Sequence, residues 1–498
     1  MDASVEILSP YPVTLTPLVE MIVMSDTSKL EKLLIDKVGK KFVSSELCDR
    51  LTYSKDYSIE GIAGDYTPDI IVKPGTVEEV TEVVKIANQL NVPIYTWGGG
   101  TSMSGNPLAV ERGIVLDMKR LNQVLDVDQD NLTITAQAGT TIENIFNAAL
   151  EQGVFFAHHP ESSLSSTIGG ALSCMGISIY GAKYGYVYDQ VLALEVILSN
   201  GKKIRIGGKA YLSLPTHNLL NLFLGAEGTL GIITEVTLKV YPKPPSRDRI
   251  SYGFPDITSA IEACKSAHAA GCWPETVFLF DRRSLVQYME RAKTPIPDDV
   301  SMAVLFGASG SSEMVETTLE VISKCSEEQG GSRLPQELTQ SWWNSINIGK
   351  DTFDQSNFAI SHTEYEPDLV DACVPLSRFQ EYSDFCDELK KEFGWVDIDF
   401  GAFIVGGPRG PIPFCIYFSV PIDTRIKTEV DKWFQFKERM YHRALEMGGS
   451  LSNANGLGLR SSPWVQNQLG SAWELLTDLK SMMDPNNILN RGNRGFSS

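Results

Sequence analysis

Short apolar runs and a longer amphipathic segment alternate along residues 69–97, the pattern of buried strands joined by a helix. DIIVK and VPIYTW are runs typical of buried strands, whereas GTVEEVTEVVKIANQLN between them has apolar residues at three- and four-residue spacing, which indicates an amphipathic helix. Further along, GIVLDM and LTITAQAG predict two more strands. This first part of the chain therefore predicts a strand–helix–strand unit.

Helix and turn signals extend the pattern on both sides. SKLEKLLIDKVG predicts a helix with Thr27 or Ser28 near its N-cap, and TTIENIFNAALEQG predicts another that opens at Thr140 or Thr141. Alternating apolar residues flank Asn200-Gly201, the pair favoured in a two-residue hairpin turn. We therefore predict two antiparallel strands in VLALEVILSNGKKIRIG.

Prolines and a change in residue composition divide the chain into parts. Pro242, Pro244 and Pro245 end the first half, and beyond them helices and strands alternate without glycine loops, which predicts an α+β unit of antiparallel character. From Gly448 the chain again mixes small residues with turns. The predicted parts are a leader and helix (1–44), a ligand-binding domain (45–245), a cap domain (246–445) and a C-terminal segment that returns to the first domain (446–498).

Four segments rich in glycine and hydroxyl side chains carry the strongest chemical signal. In YTWGGGTSMSGNPLA three consecutive glycines follow a strand, which indicates either a flexible turn or a nest of backbone N–H groups for a phosphate. Neither G-x-G-x-x-G before a helix nor a P-loop occurs, so we expect no helix N-terminus of either familiar kind. Several such loops on one scaffold predict a ligand as long as a dinucleotide. They are Gly98–Gly105, Glu161–Gly176, Leu224–Thr234 and Gly448–Gly458.

Composition narrows the class of protein. The 498 residues are 43% hydrophobic and 21% charged, as in globular proteins, and the net charge of −19 argues against a nucleic-acid partner. The eight cysteines form no C-x-x-C pair, so we expect neither a zinc nor an iron–sulfur site and interpret them as reduced core residues. The first residues lack a basic secretory region, and LVEMIVM is too short to span a bilayer. We expect a cytoplasmic protein with no membrane span.

The order of these motifs resembles the FAD-binding enzymes of the vanillyl-alcohol oxidase and p-cresol methylhydroxylase superfamily. The strings that carry the resemblance are PIYTWGGGTSMSGNPL, ESSLSSTIGGALSCMGISIYGAKYGYVYDQVLALEVILSNG, LFLGAEGTLGIITEVTLKVYPKP and LKSMMDPNNILNRG. Within the superfamily, the chain is most similar to the branch of the glycolate oxidase D-subunit and D-lactate dehydrogenase. The resemblance implies an α+β fold, with a two-subdomain FAD-binding domain of the p-cresol methylhydroxylase type and an α+β cap domain with an antiparallel sheet.

The resemblance also implies which residues surround the FAD. The first glycine loop would wrap the pyrophosphate, with Thr167, Gly169 and Gly170 on its other side, while Glu227 would meet the adenosine or cap local amides. The predicted FAD-binding residues are Trp97, Gly98, Gly99, Gly100, Thr101, Ser102, Met103, Ser104, Gly105, Pro160, Glu161, Ser162, Ser166, Thr167, Gly169, Gly170, Ser173, Gly176, Tyr184, Glu227, Gly228, Gly231, Ile232, Ile233 and Asn490.

The sequence departs from that branch at the catalytic motifs. Where the branch carries G-x-x-S-G-E-H-G-x-G, this chain has GGSLSNANGLG, with Asn455 in the place of the histidine. Asparagine cannot accept a proton at neutral pH. The paired-histidine metal string of the branch corresponds here to FGAFIVGGPRGPIPFC, and its arginine-bearing tryptophan string to QSWWNSINIGKD, with Lys350 as the nearest cation. We therefore predict no metal site.

Several polar residues are candidates for the chemistry that these motifs would have performed. The predicted catalytic set is Tyr417, Arg378, Arg409 and Asn455, and His362 is a further polar candidate of the cap. Tyr417 lies in FCIYFSV, where strand alternation turns every second side chain inward. His158 and His159 precede the second loop as structural residues or as polar, even covalent, partners of FAD.

Three functions remain open from the sequence. The first is a FAD-dependent oxidase or dehydrogenase that oxidises a CH–OH carbon by hydride transfer to flavin N5, with a small 2-hydroxy acid such as D-lactate or glycolate as substrate. The second takes an aromatic or phenolic alcohol, and the third is a non-catalytic FAD-binding subunit of a complex. The electron acceptor is oxygen, a quinone or a partner protein, and the chain forms a homodimer or joins a larger complex.

Overall fold

A mixed four-stranded sheet carries the first glycine loop at the end of its edge strand. The computed structural model describes residues 17–210, 218–282, 285, 296–346, 366–395, 399–404, 414–423, 426–452 and 455–496. The strand order is β1-β2-β4-β3, with β1 antiparallel to β2 and the other pairs parallel. The strands are β1 (Val43–Ser44), β2 (Ile70–Val72), β3 (Ile94–Trp97) and β4 (Ile114–Asp117).

Two long helices bury one face of this sheet. They are α1 (Pro17–Val38) and α4 (Val77–Leu90), and the short helices α2 (Leu47–Leu51) and α3 (Ile59–Ala63) lie between them in the chain. Leu34 of α1 and Val84 of α4 pack with Ile70 and Ile114 of the sheet in one apolar cluster. The amphipathic pattern predicted α4, and the side chain of Thr76 caps this helix by accepting a hydrogen bond from the N–H of Glu79.

The start predicted for the first helix is wrong. The helix begins at Pro17 rather than near Thr27 or Ser28, because the apolar run Leu18–Met24 belongs to the same helical segment. Proline is favoured in a first helical turn, where its missing N–H needs no partner.

A second, wholly antiparallel sheet completes the ligand-binding domain. Its order is β5-β6-β10-β8-β9, and the predicted hairpin around Asn200-Gly201 is confirmed, with Gly201 at a φ of +77°. Helix α5 (Ile142–Glu151) is capped by Thr141, whose side chain accepts from the N–H of Asn144 at 3.2 Å. The strands are β5 (Val124–Asp128), β6 (Thr133–Gln137), β8 (Val191–Ile197), β9 (Lys203–Gly207) and β10 (Ile232–Lys239).

The irregular stretch from residue 154 to 185 contains little regular structure, as predicted. Strand β7 (Val154–Phe155) pairs with β11 (Tyr241–Pro242), and two short helices follow, α6 (Ile168–Ser173) and α7 (Gly181–Tyr184). Short 3-10 turns occur at Lys40–Phe42, Met118–Arg120, Val187–Gln190, Leu219–Leu222, Leu376–Arg378 and Ser462–Trp464.

The cap domain is built on a seven-stranded antiparallel sheet, which confirms the predicted class. Its order is β15-β12-β14-β13-β17-β18-β16. The strands are β12 (Ser246–Phe254), β13 (Thr276–Asp281), β14 (Met302–Gly310), β15 (Ser332–Arg333), β16 (Glu366–Val374), β17 (Asp399–Ile404) and β18 (Phe414–Ile422). The helices are α8 (Ile257–Ala269), α9 (Ser312–Glu328), α10 (Gln336–Ile346), α11 (Phe379–Phe393) and α12 (Lys427–Glu446).

The C-terminal segment runs from the cap back to the first sheet. Next to the cap, Ser450 forms an antiparallel bridge with Cys373 of β16, and near the end of the chain Leu489 forms a parallel bridge with Ile94 of β3. Between them lie α13 (Gly458–Ser461), α14 (Val465–Leu469) and α15 (Ala472–Met483). The segment therefore contacts both domains and covers the open edge of β3.

Candidate cofactor and active site

The first glycine loop packs so closely on the second loop that side chains have no room between them. A Cβ at Gly99 would overlap the carbonyl oxygen of Ser165, and a Cβ at Gly98 would lie 2.5 Å from Oγ1 of Thr167. Gly100 adopts a φ of +69°, a conformation that favours glycine. The two loops, far apart in the sequence, thus meet through their backbones.

A buried carboxylate holds the far end of the first loop. Asp56 accepts a hydrogen bond from the N–H of Gly105 at 2.9 Å, and Arg460 donates to the carbonyl oxygen of Met103. Burial raises the pKa of Asp56 to about 6, although hydrogen bonds from Ser58 oppose the shift. The loop backbone is therefore fixed from behind, which leaves its front open to a ligand.

The second loop ends in a short helix whose first residues face the same space. Thr167 caps α6 by accepting from the N–H of Gly170 at 3.4 Å. A Cβ at Gly169 would lie 2.9 Å from that of Ala138, at the end of β6. A helix N-terminus is therefore present, although the sequence carries neither of the motifs that usually announce one.

The third loop uses its carboxylate to hold the C-terminal segment. Glu227, at a φ of +51°, accepts from the N–H groups of Leu457 at 2.7 Å and Gly458 at 2.9 Å. Its carbonyl oxygen accepts from the side-chain amide of Asn490 at 2.6 Å. Glu227 thus caps backbone amides, which was one of its two predicted roles. The amides are not local ones, however, because they belong to the C-terminal segment.

These walls enclose one cavity between the ligand-binding domain and the cap. The cap contributes Phe278 and Asp371, and the C-terminal segment contributes Asn455. The predicted FAD-binding residues that line it are Trp97, Gly98, Gly99, Gly100, Thr101, Ser102, Met103, Pro160, Glu161, Ser162, Ser166, Thr167, Gly169, Gly170, Ser173, Gly176, Glu227, Gly228, Gly231, Ile232 and Ile233.

Four predicted FAD-binding residues do not line this cavity. Ser104 and Gly105 lie behind the loop, where Gly458 and Leu459 of the C-terminal segment pack against them. The ring of Tyr184 packs on Phe155 and Tyr241. The side-chain N–H groups of Asn490 donate hydrogen bonds to the carbonyl oxygens of Asn106 and Glu227. Direct contact of these four with the cofactor is not supported.

The predicted catalytic set is not brought together as a whole. Asn455 lines the cavity, whereas Arg378 is an exposed residue at the start of α11 whose guanidinium pairs with Glu381 at 2.7 Å. A catalytic role for Arg378 is therefore not supported. Arg409 lies outside the described residues, as do His362 and Lys350. The backbone of Tyr417 pairs with Asp371 across β18 and β16, but its side chain is outside the described part.

Asp371 is the functional candidate that sequence reasoning missed. Its side chain is buried, lines the cavity and accepts a hydrogen bond from Oγ of Ser452 at 3.0 Å. The available signal was an acidic residue inside the apolar strand LVDACV, since buried carboxylates are rare without a partner or a role.

Buried polar groups in the cavity wall need partners that the described residues do not supply. Neither ring nitrogen of His158 has a hydrogen-bond partner among them, and the same is true of Nδ2 of Asn106 and Oγ of Ser166. Burial, and then the neighbouring His159, lower the pKa of His158 to about 3, so its imidazole is neutral. Because buried polar atoms without partners are costly, this wall suits a polar ligand such as a dinucleotide.

No group of three or more histidine, cysteine, aspartate or glutamate side chains among the described residues is arranged to hold a metal ion. Within the same residues, no helix combines the length and the apolar character that crossing a membrane requires.

Comparison with known proteins assigns the two domains. A family described as "FAD binding domain" matches residues 68–207, and one described as "FAD linked oxidases, C-terminal domain" matches residues 243–493. The glycolate oxidase subunit GlcD of Bacillus subtilis is 29% identical over 94% of this chain and 96% of its own length. A D-lactate dehydrogenase of Archaeoglobus fulgidus is 27% identical over 85% of this chain and 90% of its own.

Solved structures agree on the fold. Substrate-bound p-cresol methylhydroxylase superposes with a TM-score of 0.77 at 19% identity, covering 95% of this chain and 97% of that one. The first family match includes the glycine loop and α6, and the second spans half of the chain. The chain is therefore a FAD-dependent oxidoreductase that belongs to the FAD-linked oxidases and has the fold of the vanillyl-alcohol oxidase and p-cresol methylhydroxylase superfamily.

Proposed function

We propose that this enzyme oxidises a small 2-hydroxy acid, of the D-lactate or glycolate type, to the 2-oxo acid. The names of the relatives, a glycolate oxidase subunit and a D-lactate dehydrogenase, support this substrate class. The observation that carries the proposal is the meeting of Asp371 and Asn455, from the cap and the C-terminal segment, with the FAD-binding loops around one cavity. Such a cavity can hold an alcohol carbon beside a bound flavin.

The chain's own residues would hold the cofactor and exclude water. When bound, FAD supplies the acceptor for the hydride of the alcohol carbon. The amides of the glycine loop and of the first turn of α6 would hold its pyrophosphate, because closely packed glycines leave N–H groups accessible. His158, Asn106 and Ser166 would give their unpartnered polar atoms to other parts of the cofactor.

Recognition of a carboxylate requires a cation that the described lining does not contain. Within the described part of the chain, neither lysine nor arginine lines the cavity. Under this proposal Arg409 or Lys350, both outside that part, binds the substrate carboxylate. Tyr417 is proposed to donate to the hydroxyl oxygen, since it pairs with Asp371 in register.

A specific observation favours an aromatic alcohol as the second candidate. Phe278 lines the cavity, and its ring lies 5.0 Å from that of Trp342 within a cluster that also includes Phe280 and Trp343. An apolar aromatic wall without a described cation suits a ring better than a small acid.

Asn455 in the place of a histidine keeps the non-catalytic alternative open. A FAD-binding chain that only serves a complex would have no need of the lost base. The Bacillus relative is itself named as a subunit, which is consistent with a role in a complex. For the electrons of the reduced flavin, we propose oxygen, a quinone or a partner protein as the acceptor. Cytoplasmic localisation stays a prediction.

Anaerobic reduction of the bound flavin tests the three functions. The purified protein is mixed with D-lactate, L-lactate, glycolate, an aromatic 2-hydroxy acid or a phenolic alcohol, and the flavin absorbance is followed. Bleaching by D-lactate or glycolate supports the proposal, and bleaching by aromatic alcohols alone supports the second candidate. A protein that holds FAD but bleaches with no member of the panel is the non-catalytic subunit.

A further inference from the structure

A carboxylate of the cap is buried in the wall of the candidate active-site cavity. Asp371 is only 1% exposed, yet its residue forms part of the cavity wall together with Asn455, Cys174 and Phe278. Burying a carboxylate costs free energy, so its position on the cavity rather than in the cap core calls for a function.

Backbone bonds fix this carboxylate beside the C-terminal segment. Cys373 and Ser450 exchange N–H···O bonds of 3.0 and 2.8 Å, which join β16 to that segment two residues from Asp371. The hydroxyl of Ser452 then donates a hydrogen bond to Oδ2 of Asp371 at 3.0 Å. These bonds therefore fix the position of Asp371 against the C-terminal segment.

Three other titratable groups of the described lining are poor bases for an alcohol proton. The carboxylate of Glu227 already accepts from two backbone amides, and Arg494 lies 3.8 Å away. His158, with a pKa of about 3, holds a proton weakly, and burial raises the pKa of the Cys174 thiol. Glu161 also lines the cavity, and burial raises the pKa of its carboxyl, but it lies in the second loop among the predicted FAD-binding residues.

We propose that Asp371 is the catalytic base of this enzyme, taking the role that a histidine at position 455 would have had. This rests on the proposed oxidation of an alcohol. The O–H bond of the substrate breaks and its proton passes to the Asp371 carboxylate, while the C–H bond breaks and its electron pair leaves as hydride to the flavin. A C=O bond forms, and the two electrons later pass to the acceptor.

Groups around Asp371 set the background for any pH dependence. Tyr441 of α12 is buried, and burial raises its pKa, with the charge of Asp371 raising it further and that of Arg460 opposing. Burial and then the charge of Asp371 raise the pKa of the Cys373 thiol to about 12. Neither group titrates between pH 5 and 9, whereas Asp56 behind the first loop, with a pKa of about 6, titrates within that range.

The test compares Asp371→Asn with the wild-type holoenzyme by stopped-flow reduction with the hydroxy acid that bleaches the flavin best. We expect reduction to slow by about 10²- to 10⁴-fold, while the flavin spectrum stays unchanged. Asp371→Glu should restore part of the rate. The matched control is Asp384→Asn, an exposed carboxylate of α11 that accepts a hydrogen bond from Gln380 at 2.8 Å, and it should leave the rate unchanged.

A binding measurement gives a readout independent of turnover. By calorimetry, the oxo acid product should bind about tenfold more tightly to Asp371→Asn, since the new amide donates to the carbonyl oxygen that a carboxylate repels. If Asp371→Asn does not fold, Ser452→Ala should slow reduction instead, because the carboxylate loses its positioning bond.

The two proposals fail in different ways. If the wild-type flavin is reduced but the Asp371→Asn rate and product affinity equal those of the wild type, the base is not Asp371 and the function stands. The base is likewise not Asp371 if only Ser452→Ala folds and it reacts like the wild type. If no alcohol of the panel reduces the wild-type flavin, the proposed function fails and the base with it.

Discussion

His158 is a buried imidazole that stays neutral in the folded protein, and the folded state therefore loses stability in acid. Its pKa is lowered from 6.5 to about 3 by burial, so an unfolded chain takes up the proton at a higher pH than the folded one. Stability supplied by the neutral form is present above pH 6.5 and is lost as the pH falls towards 3. His158→Asn should therefore lose less stability than the wild type between pH 7.5 and 5.5, by about 1 kcal/mol.

Urea unfolding at the two pH values measures this difference, and His159→Asn is the matched control. His159 is the neighbouring residue, but its ring bonds Glu143 at 3.1 Å. Asp56 acts in the opposite direction. Its pKa is raised from 3.8 to about 6 in the folded protein, so protonation of Asp56 in acid stabilises the folded state. The comparison of variants cancels that effect, and an unchanged pH dependence in His158→Asn would contradict the assignment.

Single residues were also where the sequence predicted least. Motif spacing located Asn455 at the cavity, but the exposed pair of Arg378 with Glu381 depends on the path of α11. Asp371 reaches the cavity because β16 pairs with the C-terminal segment, a contact between distant parts of the chain. No local pattern records such a pairing.

At the scale of elements, the glycine loop depends on backbone contact with its neighbour. A Cβ at Gly99 would overlap the rigid carbonyl of Ser165, whereas one at Gly208 meets no atom within 4 Å. Gly99→Ala should therefore purify with at least tenfold weaker FAD retention, and Gly208→Ala should retain FAD like the wild type. Fluorescence of released flavin during dialysis measures this, and equal retention in the two variants would show that the loops do not meet.

Two lysine–aspartate pairs on helices have the same spacing but different surroundings. Lys480 and Asp484 lie 2.6 Å apart and are buried, and Lys480 also donates to the carbonyls of Thr229 and Leu489. Lys427 and Asp431 also lie 2.6 Å apart, but on the exposed face of α12. Lys480→Ala should cost about 3 kcal/mol because it leaves Asp484 buried without its cation.

Lys427→Ala is the control, and a small change is expected because water screens that pair. Chemical unfolding of both variants gives the comparison, and equal losses would mean that burial does not decide the strength of the pair. The bound C-terminal segment should loosen only in Lys480→Ala, which limited proteolysis near residue 489 would report.

Elements were the level that the sequence predicted best. The period of apolar residues predicted α4, and Asn200-Gly201 predicted the hairpin of β8 and β9, because each depends on neighbours within a few residues. The start of α1 at Pro17 was missed, since the preceding leader offered no clear period. The order of strands within each sheet depends on long-range pairing and could not be predicted from these patterns.

At the scale of the whole molecule, a buried ionic cluster joins three parts of the chain. Lys437 of the cap helix α12 lies 2.5 Å from Glu60 of α3, and Arg460 of the C-terminal segment lies 3.9 Å from the same carboxylate. Although burial opposes ionisation, the charges of Lys437 and Arg460 lower the pKa of Glu60. Arg460 also donates to Met103 in the glycine loop, so the cap, the loop and the C-terminal segment share one network.

Removing the cap's member of this cluster should uncouple the domains. Lys437→Met leaves Glu60 buried without its nearest cation, and we expect a loss of about 3 kcal/mol and release of FAD before the cap unfolds. Flavin fluorescence reports the first event, and the fluorescence of Trp395 and Trp433, which pack in the cap, reports the second. In the wild type the two transitions should coincide. They should also coincide in the control Arg439→Met, since Arg439 lies on α12 like Lys437 but its ion pair, with Glu392 of α11, is exposed. Coincident transitions at the wild-type midpoint in Lys437→Met would show that the apolar contacts between the domains, and not this cluster, couple the cap to the cofactor.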